Sequence, residues 1–378
     1  MAKVDARTAD GPTDARADAP RVLSLLSAST EIVHRIGCGH LLIGRSHGCD
    51  DPPLASTLPI ATAPRVDPNA ASEELDAAVR AQSVAGGPIY QIRNDLIRTL
   101  KPDVILTQEQ CRICAVTPED VAQACAGLPA AKMVTIMPVT LDDVMGDVLT
   151  IAKALGVEKR GERLVRALRR RLGVVREVAA DAALEQGVVS PPTVAHVEWL
   201  SPLMGSGYWI AECVESAGCK MVHGSKGGHS PTLPSLGALS GASVILLAPC
   251  GFSIERTHSE LQSLGIYQSA EWRGLPAVRA GRVYVADGNL YFNRSSCGAQ
   301  PRTRRSAHPG ALRARRATLK RVHVVCVCAC VLQVRRRRDR RDGGRDGVGR
   351  RPQGLLGPPR QALGLRPRSA EPSRAPFN

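Results

Sequence analysis

RVLSLLSASTEIVHRIGCGHLLIGR, residues 21–45 of the 378-residue chain, reads as strand, helix, strand. Arg21–Leu26 is a short apolar run that follows Pro20 directly and ends in Ser27-Ala28-Ser29-Thr30. Short hydroxyl side chains favour helix starts, because their oxygens accept hydrogen bonds from the unpaired N–H groups of a first turn. The helix predicted over Glu31–Ile36 stops at Gly37-Cys38-Gly39, and Leu41–Arg45 resumes an extended, apolar pattern.

The same rhythm continues. Asp95–Leu100 reads as helix, Pro102 interrupts it, and Asp103–Thr107 (DVILT) has the β-branched and leucine content of a buried strand. Thr117-Pro118-Glu119-Asp120 opens another helix, with a capping Thr, Pro in the first turn and acids at the positive end of the dipole. Lys132–Ile136 follows as a strand. From Leu141 to about Ala180 the apolar positions Leu141, Val144, Val148, Ile151 and Leu155, then Leu164, Leu168 and Leu172, fall at helical spacing. Gly156 and Gly161 are where such a helix would bend or break. Thr193–Glu198, Ser243–Ala248 and Arg282–Val285 are the strands expected of a second α/β half, with helices near Ile210–Ala217, Ser235–Leu239 and Ile254–Leu264.

The expected fold class is therefore α/β: two Rossmann-like lobes bridged by a long helix. The expected domains are an N-terminal α/β lobe at 21–140, a bridging helix at 141–180 and a C-terminal α/β lobe at 181–294. Disordered segments are expected at 1–20 and 295–378.

Charge narrows the function. The formal net charge is +15, yet residues 299–378 hold 21 basic and 4 acidic side chains, a net of +17 that leaves −2 for residues 1–298. The basicity belongs to the tail, so no nucleic-acid partner is expected for the body. Twelve cysteines in a chain of this length are not a disulfide scaffold, and mostly reduced thiols are expected. Met1–Pro20 contains four Asp and no apolar core, which is not the pattern of a secretory signal, so a cytoplasmic location stands beside an exported one. The longest apolar run near the other end, Val322–Val334, is about 13 residues, against roughly 20 for a bilayer span. No membrane span is expected.

Six segments, in order, resemble the Fe-siderophore and cobalamin family of periplasmic binding proteins, the substrate-binding components of ABC transporters. They are RVLSLLSASTEIVHRIG at 21–37, SHGCDDP at 46–52, KPDVILTQEQCRICAV at 101–116, HVEWLSPLMGSGYW at 196–209, LLAPCGF at 246–252 and LPAVRAGRVYVADGNLYFNR at 275–294. The resemblance implies two α/β lobes bridged by a long helix, a ligand held between them, little hinge motion and an ABC permease as partner. The Gln-x-Gln-Cys-x-x-Cys-Ala-Val and Glu-Trp-Leu-x-Pro patterns resemble the subgroup assigned to cobalamin. A corrinoid is the expected ligand, haem or a ferric chelate the alternative, and no resident cofactor is expected.

Three groups of residues carry the expected site. Eleven aromatic residues occur in the chain, yet Trp199, Tyr208 and Trp209 lie within eleven consecutive positions. Flat rings beside polar groups suit a tetrapyrrole face and its rim, and packing of the second lobe is the competing explanation. Gln108 and Gln110 sit just past the strand Asp103–Thr107, where open α/β sheets place ligands. Cys49 and Asp50 lie where the resembling family has its cleft rim, and Ser29, Tyr90, Glu198 and Gly228 complete the expected contacts. His47 is a candidate axial nitrogen donor to a ligand's metal, against the simpler reading of an exposed loop histidine. His223–Ser230 lacks the full phosphate-loop register and reads as a loop with close backbone approach to ligand. Pro88 stands where the family would have a Ser, which removes a backbone donor there.

Cys111 and Cys114 admit three readings: a redox pair, half of a metal site, or packed thiols. A zinc site would need a second pair at matching spacing, which the sequence lacks. Neither Gly-x-Ser-x-Gly nor His-Glu-x-x-His occurs, so hydrolytic catalysis is not expected. After Asn293-Arg294 the family continues with a Gly-Pro-Arg turn and a final amphipathic helix. Here Arg-, Pro- and Gly-rich sequence follows instead, as a shifted reading frame or retained intron would produce, and the second lobe is expected to be incomplete. Replacing both Cys111 and Cys114 is expected to leave ligand binding intact. Loss of a thiol–disulfide activity in that variant would point instead to a cytosolic redox or regulatory protein.

Overall fold

The computed structural model describes residues 19–85, 88–109, 118–124, 131–185 and 187–295. They divide into two compact units, the first built from residues up to Pro68 with Ala78–Met137 and Asp143–Arg166, and the second from the remainder. Both are α/β.

In the first unit, β1 (Val22–Ser24) is buried along its whole length and leads into α1 (Ser27–Arg35). The helix starts four residues before the expected Glu31, so the Ser/Thr run forms the first turn and does not cap it. Its hydroxyls bond elsewhere: Ser27 Oγ to Gly48 O (2.5 Å), Ser29 Oγ to Leu26 O (2.9 Å) and Thr30 Oγ1 to Ser24 Oγ (2.8 Å). The chain continues through β2 (Leu42–Arg45), β3 (Thr62–Pro64), α2 (Ser72–Val84), β4 (Tyr90–Ile92), α3 (Asn94–Leu100), β5 (Val104–Gln108), α4 (Pro118–Ala124) and β6 (Lys132–Ile136). Strands β2-β1-β5-β6 form one wholly parallel sheet, and β3 and β4 form a separate antiparallel pair. Such a parallel sheet is buried on both faces, which is why VILT in β5 reads as a continuous apolar run.

The expected long helix is two helices, α5 (Leu141–Ala154) and α6 (Glu158–Glu185). They separate at Gly156, whose φ of +67° lies in the left-handed region open to glycine. Gly161 does not break α6. A Cβ there would lie 2.5 Å from Ala152 Cβ, so the glycine lets the start of α6 pack against α5.

The second unit's sheet has the order β11-β10-β7, built from β7 (Thr193–Trp199), β10 (Val244–Leu247) and β11 (Val283–Val285), all parallel. Along the other edge of β7 run β8 (Met204–Gly205), antiparallel at its carboxyl end, and β9 (Lys220–Met221), parallel at its start. Helices α7 (Ile210–Ser216), α8 (Ile254–Ser263), α9 (Ala270–Gly274), α10 (Pro276–Arg279) and α11 (Gly288–Tyr291) complete the unit. Strand alternation builds a core on each face. Ala195, Val197, Ile245, Leu247, Val283 and Val285 share one cluster with Trp272, while Val194, Val244 and Leu246 share the other with Ile210 and Phe292. The helix expected at Ser235–Leu239 is a 3₁₀ turn at Leu236–Gly241, capped by Ser235 Oγ.

Two short stretches from the first half of the chain belong to the second unit, and charged side chains hold them. Arg256 Nη2 donates to Ala70 O (2.9 Å), and Glu260 Oε1 accepts from Ser72 N (2.6 Å), supplying a carboxylate at the start of α2. Glu212 Oε2 accepts from Leu141 N (2.7 Å) at the start of α5. Among the described residues no helix is long and apolar enough to cross a membrane.

Asp147, inside α5, is a buried acid of the first unit. Burial pushes its carboxyl up to about 7, Asp143 one turn earlier pushes the same way, and the Met137 N–H opposes both. Its Oδ2 has no hydrogen-bond partner. The folded state therefore holds a proton that the unfolded state releases near pH 4, so this group's contribution to stability falls as pH rises from about 4 to 7. Asp147→Asn is expected to stabilise the protein by about 1–3 kcal/mol at pH 8, and by less at pH 5. Denaturant unfolding of both proteins at the two pH values measures the difference.

Candidate functional site

The carboxyl end of β7 carries the expected Glu198 and Trp199. Alternation along the strand puts Val194, His196 and Glu198 on one face and Ala195, Val197 and Trp199 on the other. His196 is completely enclosed, and burial drives its imidazole down to about 3, so it is neutral at any ordinary pH. Its Nδ1 bonds the hydroxyl of Ser206, itself fully buried just past β8, and its ring packs edge-on to Phe292 with centroids 4.5 Å apart.

Glu198 is half-buried two residues further on. Burial raises its carboxyl above the usual carboxylate range, and the hydroxyls of Ser230 and Ser206 and the amide of Gly207 oppose that shift.

Trp199 is braced, not loose. Its Nε1 donates to Ser201 O (3.0 Å), and its ring meets Phe252 edge-on at 5.3 Å. Phe252 is buried, and the Arg256 guanidinium lies 3.7 Å above its ring centroid. Trp199 itself is half-buried, so part of an aromatic surface is offered on a fixed mount. Trp209 differs. It packs beside the cluster that contains Ile210 and Val214 at the start of α7, so core packing accounts for much of it.

The loops beside Glu198 are held backbone to backbone. Gly205 N donates to Pro231 O (2.9 Å), Tyr208 N to Gly228 O (2.7 Å) and Gly227 N to Tyr208 O (3.3 Å). A Cβ on Gly207 would stand 2.3 Å from Gly228 O, and one on Gly224, where φ is +92°, 1.8 Å from Ser206 O. At His223–Ser230, where the sequence reading expected backbone approach to a ligand, the close approach seen is to the 205–208 loop. Gly228 accordingly serves as a backbone acceptor for Tyr208. Tyr208 has φ of +55°, and its hydroxyl bonds His229 Nδ1 at 2.7 Å. Lys226 forms an ion pair with Glu212 at 2.8 Å.

In the first unit the structure corrects two expected contacts. Ser29 and Cys49 are fully buried and so expose nothing to a ligand. Ser29 Oγ lies 2.8 Å from Ser24 Oγ, and Cys49 Sγ accepts from Thr30 Oγ1 (3.0 Å) and bonds Ser46 Oγ (3.1 Å), which pins the loop after β2 onto α1. His47 and Asp50 on that loop are exposed. The His47 ring sits 5.2 Å from the half-buried Tyr90, and its Nδ1 bonds Thr62 Oγ1 at 2.8 Å. Burial first and Arg45 second lower its pKa, so the ring favours its neutral form. Among the described residues no group of three or more His, Cys, Asp or Glu is placed to hold a metal ion. Gln108 is buried at the end of β5. Gln110, Cys111 and Cys114 lie outside the described residues.

Sequence reasoning passed over His196, Ser206 and Ser230. Two polar residues at alternate positions of an apolar strand, His196 and Glu198 in TVAHVEW, are the signal that would have found the first.

No family model matches the chain, and no curated protein matches it. Solved structures do. A periplasmic heme-binding protein from Pseudomonas aeruginosa matches with a TM-score of 0.54 and 19% identity, over 72% of this chain and 85% of its own. The periplasmic vitamin B12 binding protein BtuF of Vibrio cholerae matches at 0.53 and 18%, over 84% and 98%. The periplasmic heme-binding protein RhuT from Roseiflexus sp. RS-1 matches at 0.52 and 20%, over 74% and 93%. The chain has the fold of the periplasmic substrate-binding proteins of ABC transporters. The α/β class expected from the sequence is the class observed.

Gly224→Ala tests the loop packing. It is expected to cost about 2–4 kcal/mol, because it combines a left-handed backbone with a clash against Ser206 O. Thermal unfolding of the variant beside the parent measures the loss.

Proposed function

We propose that the protein is a solute-binding protein that captures a corrinoid reversibly, without covalent chemistry, for ABC-type uptake. The half-buried Trp199, mounted on Phe252 at the carboxyl end of β7, carries this reading. A tetrapyrrole needs a flat apolar surface for its face, which suits Trp199, and hydrogen-bonding groups for its rim. The carboxyl end of a parallel sheet is also where open α/β folds bind ligands. The fold supports a binding role, since proteins that share it include a vitamin B12 binding protein and heme-binding proteins. Haem is accordingly the competing ligand. A partner permease follows from the same reading, because other proteins of this fold are ABC transporter substrate-binding proteins.

Titration of the purified protein with hydroxocobalamin, cobinamide and ferric haem tests the proposal through visible-band shifts and calorimetry. Micromolar or tighter corrinoid binding is expected, and Trp199→Ala is expected to weaken it by about tenfold or more. Absence of binding to every corrinoid would overturn the reading. Tighter binding of haem than of any corrinoid would transfer it to haem.

A further inference from the structure

We infer that the outward face of α6 (Glu158–Glu185) is a self-recognition surface, against which a second copy of this chain lays the same helix antiparallel. The inference does not depend on which ligand the protein carries.

Gly161, Val165, Leu168 and Ala179 form the buried side of the helix. Helical spacing puts Lys159, Arg163, Arg166 and Arg170 on the opposite side along its first half, and Glu177, Asp181 and Glu185 along its second, all exposed. One face is thus cationic at one end and anionic at the other. The helix dipole does not account for that order, since it favours acids in the first turn and bases in the last. Here Lys159 and Arg160 join the acidic Glu158 in the first turn, and the last turn holds no base. Pairing along the helix does not account for it either. Arg163 and Asp181 stand about 27 Å apart along the axis. Among the described residues this stripe makes one ion pair, Arg166 with Glu162 at 3.7 Å, between two exposed side chains.

A second copy of the helix, antiparallel and centred near Leu172, gives every charge a partner. It sets Lys159 against Glu185, Arg163 against Asp181 and Arg166 against Glu177, and two-fold symmetry repeats each pair. A parallel arrangement would set base against base, so the charges also select the direction. The centre suits close approach. No atom lies within 4 Å of where a Gly173 Cβ would stand, and Val174 beside it is 54% exposed, an apolar patch for the aliphatic stem of the partner's Arg170. A stripe basic throughout would suit an anionic lipid surface or a nucleic acid, but either would repel the acidic half. The contact is about 42 Å long and one helix wide, roughly 400 Å² a side, toward the low end for a specific interface, so a weak and salt-sensitive dimer is expected.

Sedimentation equilibrium of the full chain is expected to show monomer and dimer with a Kd on the order of 10–100 μM at about 50 mM salt, weakened about tenfold or more at about 500 mM. Two charge reversals test the surface. Arg163→Glu, Arg166→Glu and Arg170→Glu together make the stripe mainly acidic, and Glu177→Lys with Asp181→Lys makes it mainly basic. Each variant alone is expected to self-associate at least about tenfold more weakly than the parent. An equimolar mixture of the two is expected to associate at least as tightly as the parent, which also shows that both are folded. A parent chain that is monomeric at about 200 μM and low salt would overturn the inference. So would parental self-association in either variant, or a mixture that fails to associate. Loss confined to the Glu177→Lys, Asp181→Lys variant would assign the acidic half to another cationic segment, such as residues 299–378, and would overturn it too.

Discussion

Strand β7 runs through the middle of the second unit and must bury two polar side chains, and the architecture around it follows from how they are accommodated. A polar group taken from water without a partner costs several kcal/mol, and a charged one costs more. His196 is neutral and bonded to Ser206, which fixes where the chain must pass after β8. That path brings Gly207 and Tyr208 against the backbone of residues 224–228, so close that glycine is required on both sides of the contact. Glu198 emerges at the end of the same strand into a surround of amide and hydroxyl dipoles. The glycine-rich loop is thus explained first by the solvation of a strand and only then by a ligand.

Much of the fold was legible in the sequence because parallel strands announce themselves. DVILT and SVILLA hold continuous apolar runs, as strands covered on both faces must. The short strands were not legible. Thr62–Pro64, Tyr90–Ile92 and Met204–Gly205 have two or three residues each, too few for a period to show, and exist because tertiary partners complete them. The Ser27–Thr30 run misled for a related reason. Hydroxyl residues favour helix starts in general, but here partners distant in sequence, such as Gly48 and Cys49, claim the hydroxyls, and the helix absorbs the run into its first turn.

The candidate site was partly legible. The concentration of Trp199, Tyr208 and Trp209 in a chain poor in aromatics drew attention to the end of β7, and the packing separates their roles. Trp199 closes the apolar face of β7 and is half-buried, while Trp209 turns into the packing of α7. Ser29 and Cys49 were misread because resemblance assigns positions and not exposure. Both sit in the expected segments, yet they hold the β2 loop to α1 from the inside, and it is their neighbours His47 and Asp50 that reach the surface. Resemblance located the loop, and packing decided which of its side chains are available.

Trp199 also shows how a binding surface can be prepared in advance. An exposed tryptophan on a mobile loop would lose rotamer freedom on meeting a ligand, a cost of about 0.5–1.5 kcal/mol for a side chain of that kind. Here the indole N–H is tied to Ser201 O, the ring edge is set against Phe252, and Phe252 is covered by a guanidinium that is itself bonded to Ala70. Each member is immobilised by the next, so the ordering is supplied by folding. One stack of side chains therefore produces a rigid aromatic surface at the end of β7.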